Sequence, residues 1–590
     1  MTPTSTFHRL PLRALCALVL ALTACAIGAG NARAYVTPAA AEHAAERGAA
    51  WFEANQQANG DLGSDWAMTA LAAVGLNAAD VSASLADPSA QDFYLDEWRA
   101  SGPGGAATDA ERGILAGVAG GLQTSRLAAT TETEKGNLVA RLAELFDGTQ
   151  IGDTGLLNDD IFGVLALHQA GAPQRLLRQS VDFLRTRQLG DGGWSWSASP
   201  GATADIDMTG SVVAAFCAAG VGVGDPDLQQ ALALMHASQD AATGGFMAPP
   251  PFGIGVNTDT TAWVLSGLVQ CGIDPQGPAW TTAQGKTGFD YLLSMQKPDG
   301  HFAWTDEYDG GSFETYSSVR PLMGVAFSSP PPARLDGTSP AVRPAPAVPE
   351  GTTVPITLVI DHGPAAADVR MCRVYIASGS TLGQTLEEAM TASTPAGCVA
   401  GFTAQSDGSG TTVGALNGVA TTAQYGWRTG VDGSAPRAEL AQPIGFGDLV
   451  FLQYGATSAN AGPAPRASVP PLGKPKRAKL HGARVALRRG VDRDASGIAV
   501  GLRCPRGLGA AGCRGSVTVQ FRGDGGKLLL GGAAGFELDS GARGTVAVPA
   551  TAALRQALAA GRRLKLRLMA VTRGEDGSVR VTHGKRFLAA

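Results

Sequence analysis

Gln188-Leu189-Gly190-Asp191-Gly192-Gly193-Trp194 comes back as Gln239-Asp240-Ala241-Ala242-Thr243-Gly244-Gly245-Phe246 and as Gln296-Lys297-Pro298-Asp299-Gly300-His301-Phe302, with a worn copy at Gln56 to Gly63. Glycine permits a tight bend, Asp caps it, and the aromatic packs between neighbouring hairpins. These turns are read as structural rather than catalytic. Working outward from them, six segments share one plan: a polar start, an apolar helix of about three turns, and a closing glycine. They run from Ser64-Asp65-Trp66 to Gly75, Asp109-Ala110-Glu111 to Gly120 and Asn158-Asp159-Asp160 to Gly171. The other three run from Asp207-Met208-Thr209 to Gly220, Asp259-Thr260-Thr261 to Gly272 and Glu314-Thr315-Tyr316 to Gly324. Their closing glycines are 45, 51, 49, 52 and 52 residues apart, a period that marks a repeat architecture.

Between these apolar helices lie amphipathic ones. Leu228, Leu232 and Met235 form a stripe after Asp225-Pro226, as do Leu177, Val181 and Leu184 after Pro173, and Phe289, Leu292 and Leu293 further on. A helix apolar all round, alternating with one of a single stripe, is what an inner and an outer ring require. Six such hairpins predict an (α/α)6 toroid over 35–328. The turn motif resembles the Gln-x-x-Asp-Gly-x-Trp repeat of the prenyltransferase and squalene-cyclase superfamily, and that resemblance implies the same toroid.

The full architecture is read as multi-domain, α then β. Residues 329–351, with Pro330-Pro331-Pro332, form a Pro-rich linker. From 352 to 456 the period becomes two, as in Val354 to Ile360, with a helix expected at Leu382–Met390 and strands at Tyr425-Gly426-Trp427 and Leu449–Leu452. This order is similar to the small C-terminal β-domain of transcobalamin and intrinsic factor, here a small α+β domain. A second linker, 457–479, is rich in Pro and Lys. Residues 480–590 read as a basic β-sandwich with a short helix at Ala552–Ala559.

Arg9 and Arg13, an apolar run from Ala14 to Ile27 and Ala32-Arg33-Ala34 predict a signal peptide over 1–34. Leu22-Thr23-Ala24-Cys25 also looks like a lipobox, so lipidation at Cys25 stands as the alternative to release after Ala34. The expected location is secreted or cell-surface, with no transmembrane helix after the signal. Six cysteines fall beyond it, two to each region. Disulfides are expected for Cys372–Cys398 and Cys504–Cys513, and Cys217–Cys271 is left open. Net charge of −5 conceals an asymmetry: from Arg466 onward there are 24 Lys and Arg against 7 Asp and Glu, out of 46 and 51 in the chain. Such a basic tail suits anionic cell-envelope polymers. Nucleic acid is not an expected partner, because stacking aromatics are missing there.

The polar starts of the inner helices converge on one mouth of the barrel. Asn158, Asp159, Asp160, Asp205, Asp207, Thr209, Asp259, Thr260 and Thr261 are expected there as a ring of donors and acceptors, each also able to serve only as a helix cap. Asp205-Ile206-Asp207-Met208-Thr209 resembles the Asp-x-Asp-Asp-Thr acid motif of class II terpene cyclases, with Met208 in place of the last Asp. That loss undermines the tuning an alkene proton donor needs. No catalytic residue and no metal site is assigned. Cys217 and Cys271 lie at the opposite helix ends from Asp207 and Asp259, and His168, His236 and His301 do not complete a zinc set.

A toroid followed by this β-domain is the arrangement of the transcobalamin family. The resemblance implies a corrinoid such as cobalamin clamped between the two domains, the ring bonding its amides while Tyr425 and Trp427 close from the other side. The leading expectation is an exported protein holding a bulky amphipathic ligand. The rivals are an enzyme on the toroid, either a carbohydrate-active hydrolase or lyase or a divergent terpene cyclase, and a structural surface or adhesion protein.

Overall fold

The structure is a computed structural model. It describes residues 36–588 apart from 85–86, 102–105, 128–135, 200–201, 250–254, 328–330, 336–347, 349–352, 409, 432–437, 473–485, 494–496, 507–512, 523–527, 561–562 and 574–578. The export signal with Cys25, most of the Pro-rich linker, the Asp432-Gly433 turn and the Lys474–Lys479 run lie outside the described residues.

Twelve helices alternate between outer and inner positions. They are α1 (Pro38–Asn59), α2 (Ala67–Ala73), α3 (Ala90–Ser101), α4 (Ala107–Ala119), α5 (Leu138–Leu145) and α6 (Leu157–Gln169). Then follow α7 (Gln174–Arg185), α8 (Ile206–Ala218), α9 (Pro226–Ala237), α10 (Thr258–Gln270), α11 (Gly288–Met295) and α12 (Ser312–Leu322). A two-residue hairpin, β1 (Met247–Ala248) with β2 (Gly255–Val256), interrupts the turn before α10. The even-numbered helices bury nearly every side: α8 hides Ile206, Val212, Val213, Ala214, Ala215 and Phe216. The odd-numbered ones bury a stripe, such as Leu177, Val181 and Leu184 on α7. On α9 the buried stripe is Leu228, Ala231 and Met235, with Ala231 taking the place expected of Leu232. Each inner helix packs on the next, and α12 returns to both α2 and α1, so the helices make a closed toroid.

Why the ring closes is visible in its turns. Gln188 donates through Nε2 to the Gly192 carbonyl of its own turn and to the Asp227 carbonyl of the next hairpin. Gln239 does the same with Gly244 and Trp280. Gln296 bonds Gly300 and, across the seam, Ala44 of α1 at 2.7 Å. Inner helices α8 and α10 approach most tightly at two glycines. A Cβ on Gly267 would stand 2.4 Å from the Gly210 carbonyl oxygen, so any side chain there forces the pair apart. The Cys217–Cys271 disulfide ties the far ends of the same two helices. In the second repeat the left-handed closing residue is Gly121 (φ 79°) rather than Gly120, which takes the C-cap position that Ala170 and Ala219 hold in α6 and α8.

The next domain is built on a sheet of order β5-β4-β3-β10-β9. Its strands are β3 (Thr353–Asp361), β4 (Val369–Ala377), β5 (Ser393–Thr394), β9 (Tyr425–Val431) and β10 (Leu449–Ala456). β3 and β10 run parallel and the other pairs antiparallel. A helix, α13 (Leu382–Ala392), and a smaller sheet of β6 (Phe402–Asp407), β7 (Gly410–Leu416) and β8 (Val419–Ala420) complete it. Strand alternation divides the sheet's residues cleanly. Leu358, Ile360, Cys372, Val450 and Leu452 enter the domain's own core, while Val359, Val369, Met371 and Leu449 join the hydrophobic core of the helical domain. The sheet thus docks face-on against outer helices α5 and α7. Polar contacts rim this junction: Arg126 with Asp448, Arg175 with Asp361, Arg373 with Glu144 at 2.6 Å, and a reciprocal pair between the Gln179 amide and the Val369 backbone. Residues 461–472, expected within a linker, pack on this domain through Val469 and Leu472.

The last domain has two sheets, β11-β12-β15 and β14-β13-β16-β17, over one core. The strands are β11 (Ala486–Arg493), β12 (Gly497–Arg503), β13 (Cys513–Arg522), β14 (Leu528–Leu538), β15 (Arg543–Pro549), β16 (Leu564–Arg573) and β17 (Val579–Leu588), with α14 (Ala552–Ala559) between β15 and β16. Disulfides Cys372–Cys398 and Cys504–Cys513 are formed, as is Cys217–Cys271. Three such bonds fit an extracellular protein. No helix among the described residues is long and apolar enough to cross a membrane.

Candidate functional site

The inner helices all start at one rim of the toroid, and their first turns carry the acids and hydroxyls expected there. Some of these groups are fully used by the fold. Asp205 caps α8, accepting from the Asp207 N–H at 3.1 Å. Asp159 accepts from the Asp153 N–H at 2.8 Å. Thr209, fully buried, accepts from the Trp194 N–H at 3.0 Å and donates to the Asp205 carbonyl at 2.7 Å. Thr261 repeats this with Phe246 and Asn257, and Thr315 with Phe302 and Gly311. In each repeat the hydroxyl therefore staples the aromatic of the Gln-Asp-Gly turn to the helix that follows.

Others are left open. Oδ1 of Asn158, Oδ2 of Asp160 and Oδ1 of Asp259 are covered from solvent and meet no hydrogen-bond partner among the described residues, while the covered Oδ1 of Asp207 and Oγ1 of Thr260 have only each other nearby, the Thr260 hydroxyl acting on the Asp207 carboxyl. Leaving such atoms bare is costly, and the protons respond. Burial pushes Asp207 up to about 7, with the neighbouring Asp205 charge adding to it. Asp160 rises to about 8 through burial, against the pull of the Ile151 N–H that bonds its Oδ1 at 2.8 Å. Asp259 is raised well above the carboxylate range by burial, then by Glu314 and Asp207. Each of these shifts favours the neutral form, so the rim carries less negative charge than its number of carboxyls implies.

Glu111 belongs with this group and was treated in the sequence only as part of a helix start. It is fully buried on α4, neither carboxylate oxygen has a partner among the described residues, and burial with Asp159 and Asp160 nearby raises it well above its usual value. Position alone could have flagged it, since a Glu five residues into an apolar inner helix faces the barrel interior.

Aromatic residues line the barrel beneath the rim, and the sequence reading missed them entirely. Trp66, Phe162, Trp263, Phe313 and Tyr316 form an unbroken circuit of ring contacts. Centroids are 6.2 Å apart for Trp66–Phe162, 5.6 Å for Phe162–Trp263, 6.4 Å for Trp263–Phe313, 5.3 Å for Phe313–Tyr316 and 5.5 Å for the stacked Tyr316–Trp66 pair. All five come from the N-cap or first two turns of α2, α6, α10 and α12, so they share one level. Phe313 is 45 % exposed, which leaves this apolar level reachable from the rim.

Tyr425 and Trp427 are not brought to the ring. Both are buried in the β-domain's own core, where the Trp427 indole donates to the Val419 carbonyl at 3.0 Å and the Tyr425 hydroxyl to that of Gly462 at 2.6 Å. The expected arrangement, with the β-domain closing over the mouth, is replaced by docking on the flank through α5 and α7. The physical reason is the second apolar face of the sheet, which the sequence pattern did not assign to a partner. His168 is half-buried, His236 lies against Trp280, and His301 bridges Asp299 and Asp309 on the surface. Among the described residues no group of three or more His, Cys, Asp or Glu is placed to hold a metal. Two open clefts mark the surface, one of about 470 Å³ around His301, in the turn that leads into α12, and one of about 500 Å³ between Arg175 and Tyr454.

No family model and no curated protein matches the chain. Solved structures do. Haptocorrin in complex with Cbi shares 11 % identity over 70 % of this chain and 97 % of its own, at a TM-score of 0.29. The ent-copalyl diphosphate synthase of Streptomyces platensis shares 18 % over 47 % of this chain and 50 % of its own, at 0.31. The protein geranylgeranyltransferase-I of Candida albicans, complexed with GGPP, shares 11 % over 47 % and 90 %, at 0.32. These are the two groups that the repeat and the β-domain resemble. At such scores the likenesses add nothing to what the coordinates themselves display.

Proposed function

We propose that the chain is an exported binding protein whose toroid mouth takes a bulky amphipathic ligand, within an (α/α)6 ring whose basic C-terminal β-sandwich rests on anionic envelope polymers. One observation carries this reading. Covered polar atoms on Asn158, Asp160 and Asp259 without a hydrogen-bond partner among the described residues, with the Asp207–Thr260 pair beside them, stand at the same end of the barrel as a level of five aromatic rings. A ligand with a polar fringe and an apolar body would satisfy both tiers at once. A corrinoid such as cobalamin suits the rim, because its amides could pair with the bare carboxyl and hydroxyl oxygens. It gains no second wall from Tyr425 and Trp427, so the corrinoid reading rests on the rim alone.

A second reading is favoured by Asp207 itself. A carboxyl that keeps its proton to about pH 7, above aromatic faces, is equipped to act as an acid toward an alkene. Met208 in place of a further Asp weakens that case. The deciding experiment incubates the full exported chain with cobalamin and follows corrin absorbance retained after gel filtration, in wild type and in Asp207→Ala with Asp259→Ala. Retention by the wild type and loss in the double variant is expected. No retention of any corrinoid, coupled with cyclisation of an isoprenoid that Asp207→Asn abolishes, would replace the binding protein by an enzyme.

A further inference from the structure

Arg320, a charged side chain inside the barrel, has no role in the site described so far. It lies eight residues beyond the start of α12, about 12 Å down the helix axis from the rim, and is 3 % exposed. Its guanidinium carbon sits 4.1 Å from the centroid of Phe327, 5.6 Å from that of Trp263 and 5.8 Å from that of Trp66. Ring faces offset part of the cost of burying a cation. They do nothing for the N–H groups, which lie in the guanidinium plane, and Nε and Nη2 meet no acceptor among the described residues. Nor does any carboxylate pair with it there. Burial lowers its pKa to about 10, which leaves it charged at neutral pH.

The barrel is crossed on the far side of Arg320. Phe327 is pinned by its N–H to Gln270 Oε1 at 3.0 Å and stacks on Trp263. Further along, Asn77 holds the Pro332 carbonyl at 2.8 Å and Arg334 pairs with Asp80 at 2.6 Å. Phe327, Pro332 and Arg334 thus lie at the C-terminal ends of α10 and α2, while the exposed ring of Phe313 stands at the opposite, N-terminal end of α12. A buried cation with unserved donors, reached through aromatic walls, is built for an anion that arrives on an apolar carrier.

We propose that Arg320 anchors a carboxylate or phosphate of the ligand, so that the molecule bound is an amphipathic anion. This rests on the reading of the rim as a ligand mouth. The Asp and Glu side chains around the entrance are raised toward their neutral forms, so they repel such a group less than ordinary carboxylates would.

The test uses two probes on the full exported chain: 8-anilinonaphthalene-1-sulfonate and its uncharged analogue N-phenyl-1-naphthylamine. The sulfonate is expected to bind at least about tenfold more tightly, as a buried charge-assisted hydrogen bond requires. Arg320→Met should bring the two affinities together, with the neutral probe unchanged. Equal affinities in the wild type, or a preference that survives Arg320→Met, overturn the anion site and leave the mouth intact. Binding of neither probe removes the mouth itself. If Arg320→Met does not fold, displacement from the wild type decides: decanoate or decyl phosphate should expel the bound sulfonate where decanol at equal concentration does not. Their relative strength tells carboxylate from phosphate, and equal displacement by decanol overturns the proposal.

Discussion

Thr209, Thr261 and Thr315 stand in the first turns of α8, α10 and α12, within two residues of Asp207, Asp259 and Glu314. The three hydroxyls each accept one hydrogen bond and donate another, and they stitch every Gln-Asp-Gly turn to the inner helix behind it. Asp259, in the same turn as Thr261, keeps a covered oxygen with no partner among the described residues, and the Asp207 carboxyl has no staple of this kind, only the Thr260 hydroxyl beside it. Neighbours on one helix thus serve opposite ends: one set spends its polarity on the fold, the other holds it in reserve. Completeness of hydrogen bonding, more than residue type, separates scaffold from site.

The largest expected break in this comparison is at Asp160. Its carboxyl keeps a proton to about pH 8 when folded but gives it up near the ordinary value of about 3.9 when unfolded. The folded state therefore binds more protons between those values, and this group removes stability as pH rises through them. Asp160→Asn should flatten that decline, matching the wild type near pH 4 and exceeding it by several kcal/mol near pH 9, as read from urea unfolding. An unchanged pH profile would mean that the carboxyl is not held neutral.

A sharper contrast comes from adjacent residues. Thr261→Val removes both staple bonds and should cost about 2 kcal/mol. Thr260→Val deletes a buried hydroxyl whose one polar neighbour is the Asp207 carboxyl, so it should cost less, under about 1 kcal/mol, and push the Asp207 pKa further up. Urea midpoints at pH 6 compare the two directly, and equal losses would erase the distinction drawn here. The smallest effect is expected at the seam. Gln296→Ala breaks the bonds to Ala44 and Gly300 and should lower stability by about 1 kcal/mol. Faster amide exchange in α1 than in α8 would show that the ring opens there first.

The helical half was legible because its signals are local. Asp225 followed by Pro226 caps and starts α9, and apolar spacing separates α8 from its outer neighbours within a single turn or two. The helix over Ala552–Ala559 and the strand at Val354–Ile360 were read for the same reason. The rim carboxyls could be named from position, but their division into used and unused could not. That depends on whether a backbone N–H from a distant loop, such as Ile151 for Asp160 or Trp194 for Thr209, happens to arrive.

What the amino-acid order determined by itself was a helical toroid with inner-outer alternation, a consequence of periodicity over a few residues, and the disulfides Cys372–Cys398 and Cys504–Cys513, with Cys217–Cys271 left for the tertiary structure to decide. Tertiary structure alone decided that Trp66, Phe162, Trp263, Phe313 and Tyr316 meet in one circuit, and that Arg320 sits against aromatic rings with no acceptor for Nε or Nη2 among the described residues. It also turned Trp427 inward and laid the β-sheet on the toroid's flank. Those outcomes depend on ring closure, which brings side chains some 250 residues apart within a few ångströms and sets which polar groups find partners, and no local pattern encodes that.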